Sequence, residues 1–168
     1  HCQCRRQRQM CIRDSMTRDY DSVSICLSKG LGAPVGSVLV GSQDFIDQAH
    51  RWRKMFGGGM RQSGILAAAG IYALENNVER MEDDHRRART IAQAIDEMDH
   101  VSVDLDAVQT NMVYFSANKY SANDVSQKMA EAGIDMFDIS PTHCRIVTHL
   151  HITDEDVSKV IEVLSNLN

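Results

Sequence analysis

Apolar and polar side chains alternate over residues 21–27, with Val23, Ile25 and Leu27 on one side and Ser22, Ser24 and Cys26 on the other. A period of two predicts a short strand buried on at least one face. A loop of small residues, SKGLGAPVGS at 28–37, follows directly, and residues 38–41 predict a second strand. The period then becomes that of a helix over 42–55, with Ser42 as its cap and Phe45, Ile46, Ala49, Trp52 and Phe56 along one side. Gly57, Gly58 and Gly59 end it. Residues 64–74 are apolar nearly all round, which predicts a deeply buried helix. Beyond Asn76 and Asn77 the pattern turns one-sided: Val78, Met81, His85, Ala88, Ile91, Ile95 and Met98 recur every three or four residues, opposite a charged face. This change sets the expected domain boundary, with residues 16–77 on one side and 78–168 on the other.

The second stretch reads as a small α+β domain. Val101, Val103 and Leu105 alternate as one strand, and residues 111–116 form another. Ser121 and Asp124 have the spacing of a capping box, opening a helix that stops at Gly133. Residues 145–152 alternate as a third strand, with Ile146, Thr148, Leu150 and Ile152 on one face. Thr153 and Asp156 cap a last helix whose core stripe is Val157, Val160, Ile161, Leu164 and Leu167.

Composition changes the picture at one end. Residues 1–15, HCQCRRQRQMCIRDS, hold four arginines and three of the five cysteines. Residues 5–15 back-translate in frame to a transposon-type sequencing-library adapter, so the segment is read as non-native and set aside. The alternative is a natural basic arm with a metal site at Cys2 and Cys4. Setting it aside leaves 14 basic against 22 acidic side chains, and only Cys26 and Cys144 among the thiols. Two cysteines fit a reduced, cytoplasmic protein rather than a disulfide framework. An adapter fused to the coding sequence predicts that the chain is a fragment with its true N-terminus missing. The longest apolar runs, such as residues 65–69, are far too short to span a bilayer, and net acidity argues against a nucleic-acid partner.

Lys29 stands out chemically. It sits where a strand meets a loop carrying Gly30, Gly32, Ala33 and Gly36. Ligands of open sheets lie beyond the strand ends, and small residues let a planar group approach the backbone. A lysine desolvated there can present a neutral amine for Schiff-base formation, whereas the plainer reading is a solvated loop lysine. The loop is neither a P-loop, whose lysine follows its glycines, nor a dinucleotide fingerprint, since the spacing is G-x-G-x-x-x-G and a strand follows. His143, Cys144, His149 and His151 invite a metal reading, but no second spaced pair completes four ligands, so no metal is expected.

Three runs carry a resemblance: DSVSICLSKGLGAPVGSVLVG, RWRKMFGGGMRQSGILAAAGIYAL and SPTHCRIVTHL. Together they resemble L-threonine aldolases of the low-specificity bacterial type, over essentially all of residues 20–168. The resemblance implies an α/β, fold-type-I pyridoxal-phosphate architecture, represented by the C-terminal part of a large domain and a small α+β C-terminal domain. It implies cleavage of L-threonine or L-allo-threonine to glycine and an aldehyde, with pyridoxal 5'-phosphate as cofactor and a homotetramer built as a dimer of dimers. By the same resemblance Lys29 matches the lysine that holds the cofactor, and Arg145 the arginine that clamps the substrate carboxylate. Lys54 and Arg61 match basic positions near the cofactor phosphate or the partner subunit's site, with Ser28 supporting the lysine or the phosphate. A solvated basic helix face at RWRKM, an exposed strand-end arginine and a plain loop serine stay open as alternatives.

The resemblance also implies absent parts. An aspartate for the pyridine nitrogen, within a His-x-Asp-Gly-Ala-Arg motif, and a histidine stacked on the cofactor ring are expected upstream of Lys29. The chain by itself is therefore expected to be inactive. Two alternatives remain: another fold-type-I lyase or an aminotransferase, and a non-catalytic α+β interaction module.

Overall fold

The computed structural model describes residues 17–167; the segment read as adapter, with Cys2 and Cys4, lies outside them. The chain divides between Glu75 and Asn76 into two units, each described separately.

The first unit opens with strands β1 (Ser22–Cys26) and β2 (Ser37–Gly41), paired antiparallel with Ser24 opposite Leu39. Helix α1 (Gln43–Met55) follows, and the Ser42 side chain accepts from the Phe45 backbone N–H as an N-cap. Its end is set by Gly57, whose φ of 82° is a left-handed conformation that costs glycine little. From that turn the Gly58 N–H donates to the Arg53 carbonyl and the Gly57 N–H to that of Lys54. Helix α2 (Gly64–Asn76) carries the all-apolar sequence, yet only Gly70 and Ala73 are buried on it. The expectation of deep burial is therefore corrected: Ile65, Ile71, Tyr72 and Leu74 are exposed. Composition reports that such a helix needs cover, not that these residues of the chain supply it.

The second unit contains helix α3 (Met81–Asp96), strand β3 (Val101–Val103), a 3₁₀ turn (Leu105–Ala107) and strand β4 (Met112–Ala117). Helix α4 (Ala122–Glu131), strands β5 (Phe137–Ser140) and β6 (His143–Val147) and helix α5 (Asp154–Ser165) complete it. The four strands form an antiparallel sheet in the order β3-β4-β6-β5. One face packs on the helices: Val113, Phe115, Cys144 and Ile146 join Ile91, Ile95, Val125, Met129, Val157 and Leu164 in one core. Both predicted capping boxes are present, Ser121 with Asp124 and Thr153 with Asp156.

Three local readings differ. The strand expected through Leu105 ends at Val103, and Leu105 opens a 3₁₀ turn capped by the Asp104 side chain. Strand β5 had no prediction, because Ile134, Met136, Phe137 and Ile139 do not alternate cleanly. The strand expected through Ile152 ends at Val147. There Thr148 is buried and its hydroxyl donates to the Asp84 carbonyl of α3 at 2.7 Å. The chain then turns, with the Ile152 N–H on the His149 carbonyl. His149 and His151 thus lie in a turn, not on the strand face of Arg145.

The start of α5 should make this unit acid-sensitive. Hydrogen bonds from Arg87 and then Arg86 hold the Asp154 carboxyl below its ordinary value of 3.8, and the backbone N–H and hydroxyl of Thr153 do the same for Asp156. Carboxyls depressed in the folded state contribute stability that is full above the ordinary value and is lost as pH falls through the folded ones. A thermal midpoint that falls below about pH 4, with a flatter acid limb in the Asp154→Asn/Asp156→Asn double variant, is the expected result.

Candidate functional site

Backbone bonding at Leu27 shapes the loop that carries Lys29. The Leu27 N–H donates to the Gly36 carbonyl, and its carbonyl accepts from the Ala33 N–H, both at 3.0 Å. Gly32, at φ 72°, reverses the chain so that its N–H reaches the Lys29 carbonyl at 2.8 Å. Leu27, Leu31 and Ala33 are buried as the underside of the loop, while Ser28 and Lys29 stay exposed. A Cβ at Gly70 would lie 3.0 Å from Leu27 Cδ1, so the missing side chain lets α2 lie against the base of this loop. The loop is braced, and the lysine amine has no hydrogen-bond or ion-pair partner among the described residues.

Lys54 lies in the last turn of α1 and Arg61 in the bend before α2, both exposed. The glycine turn folds back on Lys54: a Cβ at Gly59 would meet its Cδ at 2.7 Å. The aliphatic stem of Lys54 is thus laid along Gly59. A cleft of about 390 Å³ between β2 and α1 is lined by Val38, Leu39, Ile46, His50 and Arg53, and includes none of the predicted residues.

Arg145 belongs to the second unit, on the sheet face turned away from the core. The register places it between Tyr114 on β4 and Phe137 on β5. Its guanidinium carbon lies 4.9 Å from the centre of the Phe137 ring. Its Nε is buried and without a hydrogen-bond partner among the described residues. Among the described residues no acidic side chain takes its donors, and a ring face leaves those donors unused. The aromatic flank escaped the sequence reading, since only the strand register reveals it.

The thiols offer less. Cys144 donates to the Ala122 carbonyl from within the core, and burial, with Asp138 nearby, pushes it up to about 11. It is an inert core residue at neutral pH.

Ser28, Lys29, Lys54 and Arg61 therefore sit in the first unit and Arg145 in the second. A lysine amine without a partner among the described residues, and two further cations in the same unit, are of the chemistry that a phosphorylated aldehyde calls for.

The sequence profile described as beta-eliminating lyase matches residues 7–118. The chain belongs to that family. The match opens inside the segment read as adapter. Among relatives of this chain, the low specificity L-threonine aldolase of Escherichia coli K12 is 46% identical over 150 residues, covering 89% of this chain and 44% of that protein. Low-specificity L-threonine aldolase 1 of Arabidopsis thaliana is 44% identical over 145 residues, covering 84% and 40%. The chain thus spans less than half the length of the curated relatives it matches. Among solved structures, a PLP-dependent aminotransferase from Streptococcus suis superposes with a TM-score of 0.65 at 18% identity, over 87% of this chain and 41% of that one. The fold is the α/β, fold-type-I architecture of pyridoxal-phosphate enzymes.

Proposed function

We propose that the full-length protein containing this chain is a pyridoxal-phosphate-dependent aldolase that cleaves L-threonine and L-allo-threonine to glycine and an aldehyde. The observation that carries this reading is the 46% identity to the Escherichia coli low specificity L-threonine aldolase across the run that includes Lys29. Lys29 is the residue that holds the cofactor through its Nζ, and this reading is supported by the braced loop backbone that carries it. Ser28, Lys54 and Arg61 hold the phosphate. Arg145 receives the substrate carboxylate and orients the amino acid so that the bond to be broken is aligned. Pyridoxal phosphate, when bound, supplies the sink for the electron pair left at Cα when the Cα–Cβ bond breaks.

The proposal extends to organisation. Residues 16–77 are the C-terminal part of the large domain and residues 78–168 the small one. The full-length protein is a cytoplasmic homotetramer, a dimer of dimers, acting in threonine breakdown and glycine formation. The exposed apolar side chains of α2 support an assembly that covers them. None of the described helices is long and apolar enough to cross a membrane.

The test is product analysis and trapping on the full-length protein. Borohydride reduction is expected to fix a pyridoxyl group on the peptide containing Lys29, and threonine to yield glycine and acetaldehyde in equal amounts. A keto acid with ammonia would make the protein a different lyase of the family. An unlabelled Lys29 would remove it from the reaction and favour a non-catalytic module.

A further inference from the structure

The outer face of the second unit's sheet carries an arginine beside a phenylalanine, in a pairing that only the register discloses. Phe137 and Arg145 are direct cross-strand partners on β5 and β6, and the guanidinium carbon stands 4.9 Å from the ring centre. On the other side Tyr114 is the partner of Arg145 across β4. Phe137 is 59% exposed on the edge strand of the sheet. Among the described residues, Arg145 makes no hydrogen bond or ion pair through its side chain, and its buried Nε is left without an acceptor. Among the described residues, the ring is thus a neighbour that can orient the guanidinium without taking its donors.

We propose that Phe137 is a positioning residue: its ring fixes the plane and the outward edge of the Arg145 guanidinium, so that the arginine meets the substrate carboxylate already oriented. This rests on the reading of Arg145 as the carboxylate-binding residue. The physical ground is rotamer freedom. An unpaired arginine at a strand surface samples many orientations, and each must be surrendered when a bidentate carboxylate contact forms. Stacking on an aromatic face restricts the head group beforehand without consuming any of its N–H donors, which an acidic partner would do. An aromatic ring orients the fork and leaves it free, whereas a carboxylate at position 137 would orient it and occupy it.

The experiment compares L-threonine with L-threoninamide as substrates of the full-length holoenzyme, in wild type, Phe137→Leu, Phe137→Tyr and Arg145→Met. Phe137→Leu is expected to raise KM for the acid roughly tenfold with kcat little changed, to leave the amide nearly unaffected, and to keep the wild-type thermal midpoint. Phe137→Tyr is expected to restore the acid preference. Equal losses on acid and amide, together with a lower midpoint, would mean that Phe137 merely supports the sheet, and would overturn the proposal. A normal acid preference in Phe137→Leu, when Arg145→Met abolishes it, overturns the proposal alone. An acid preference that survives Arg145→Met overturns the reading of Arg145 itself, and the role of Phe137 falls with it.

Discussion

Replacing Lys29 by alanine in the full-length protein is expected to lower threonine cleavage by on the order of 10³-fold or more, with no change in fold. The side chain is exposed and has no partner among the described residues, and its backbone carbonyl accepts from the Gly32 N–H. Alanine keeps that bond and leaves Leu27, Leu31 and Ala33 to brace the loop. Loss of activity would therefore report the amine and not a collapsed loop. Lys29→Arg sharpens the result, because it keeps a positive charge of similar reach but no amine that can bond covalently to a carbonyl. Both variants are expected to be equally inactive, with unchanged circular dichroism and no borohydride-fixed cofactor. An arginine variant retaining a tenth of wild-type kcat/KM would mean that Lys29 acts only as a charge.

The parts of the fold that were legible in the sequence are those governed by neighbours in the chain. Ser42 capping α1, the two capping boxes at Ser121 and Thr153, and the stop at Gly57 each depend on a few adjacent residues. What could not be read depends on distant ones. Strand β6 ends where Thr148 finds the Asp84 carbonyl, 64 residues away, and nothing between 145 and 152 encodes that acceptor. Helix α2 announces by composition that it must be covered, but a sequence does not say which chain covers it. The candidate site divides in the same way. Lys29 was legible because small residues surround it locally. The aromatic flank of Arg145 required knowing that β5 exists and that Phe137 is its partner across the sheet. The strand expected over 145–152 runs too far, through His149 and His151, because an alternating pattern continues past Val147, where the strand ends.

Residues 76–168 expressed alone are expected to fold cooperatively, whereas residues 17–75 alone are not. The second unit has its own core: Ile91, Ile95, Phe115, Met129 and Leu164 are all essentially inaccessible to solvent. Its two buried polar residues, Asp84 and Thr148, are paired within it, with Arg80 donating to both Asp84 oxygens, at 3.0 and 2.5 Å, and the Thr148 hydroxyl to the Asp84 carbonyl. Phe115→Ala should remove about 3–5 kcal/mol there, a large share of the roughly 5–15 kcal/mol a small domain possesses. The expected consequence is a urea midpoint lowered by roughly a third or more, with an unchanged slope. The first unit has no such reserve. Helix α1 buries no residue, and Trp52, Met55, Phe56, Ile65 and Tyr72 are more than half exposed. Each large apolar side chain left in water forgoes about 1.5–3 kcal/mol, too much for a short hairpin and two helices to offset. Residues 17–75 should therefore bind a hydrophobic dye and melt without a sharp transition. A well-dispersed amide spectrum and a cooperative melt from this segment would show that β1, β2 and α1 stand without cover. The exposed face of α2 would then require no further chain or subunit to explain it.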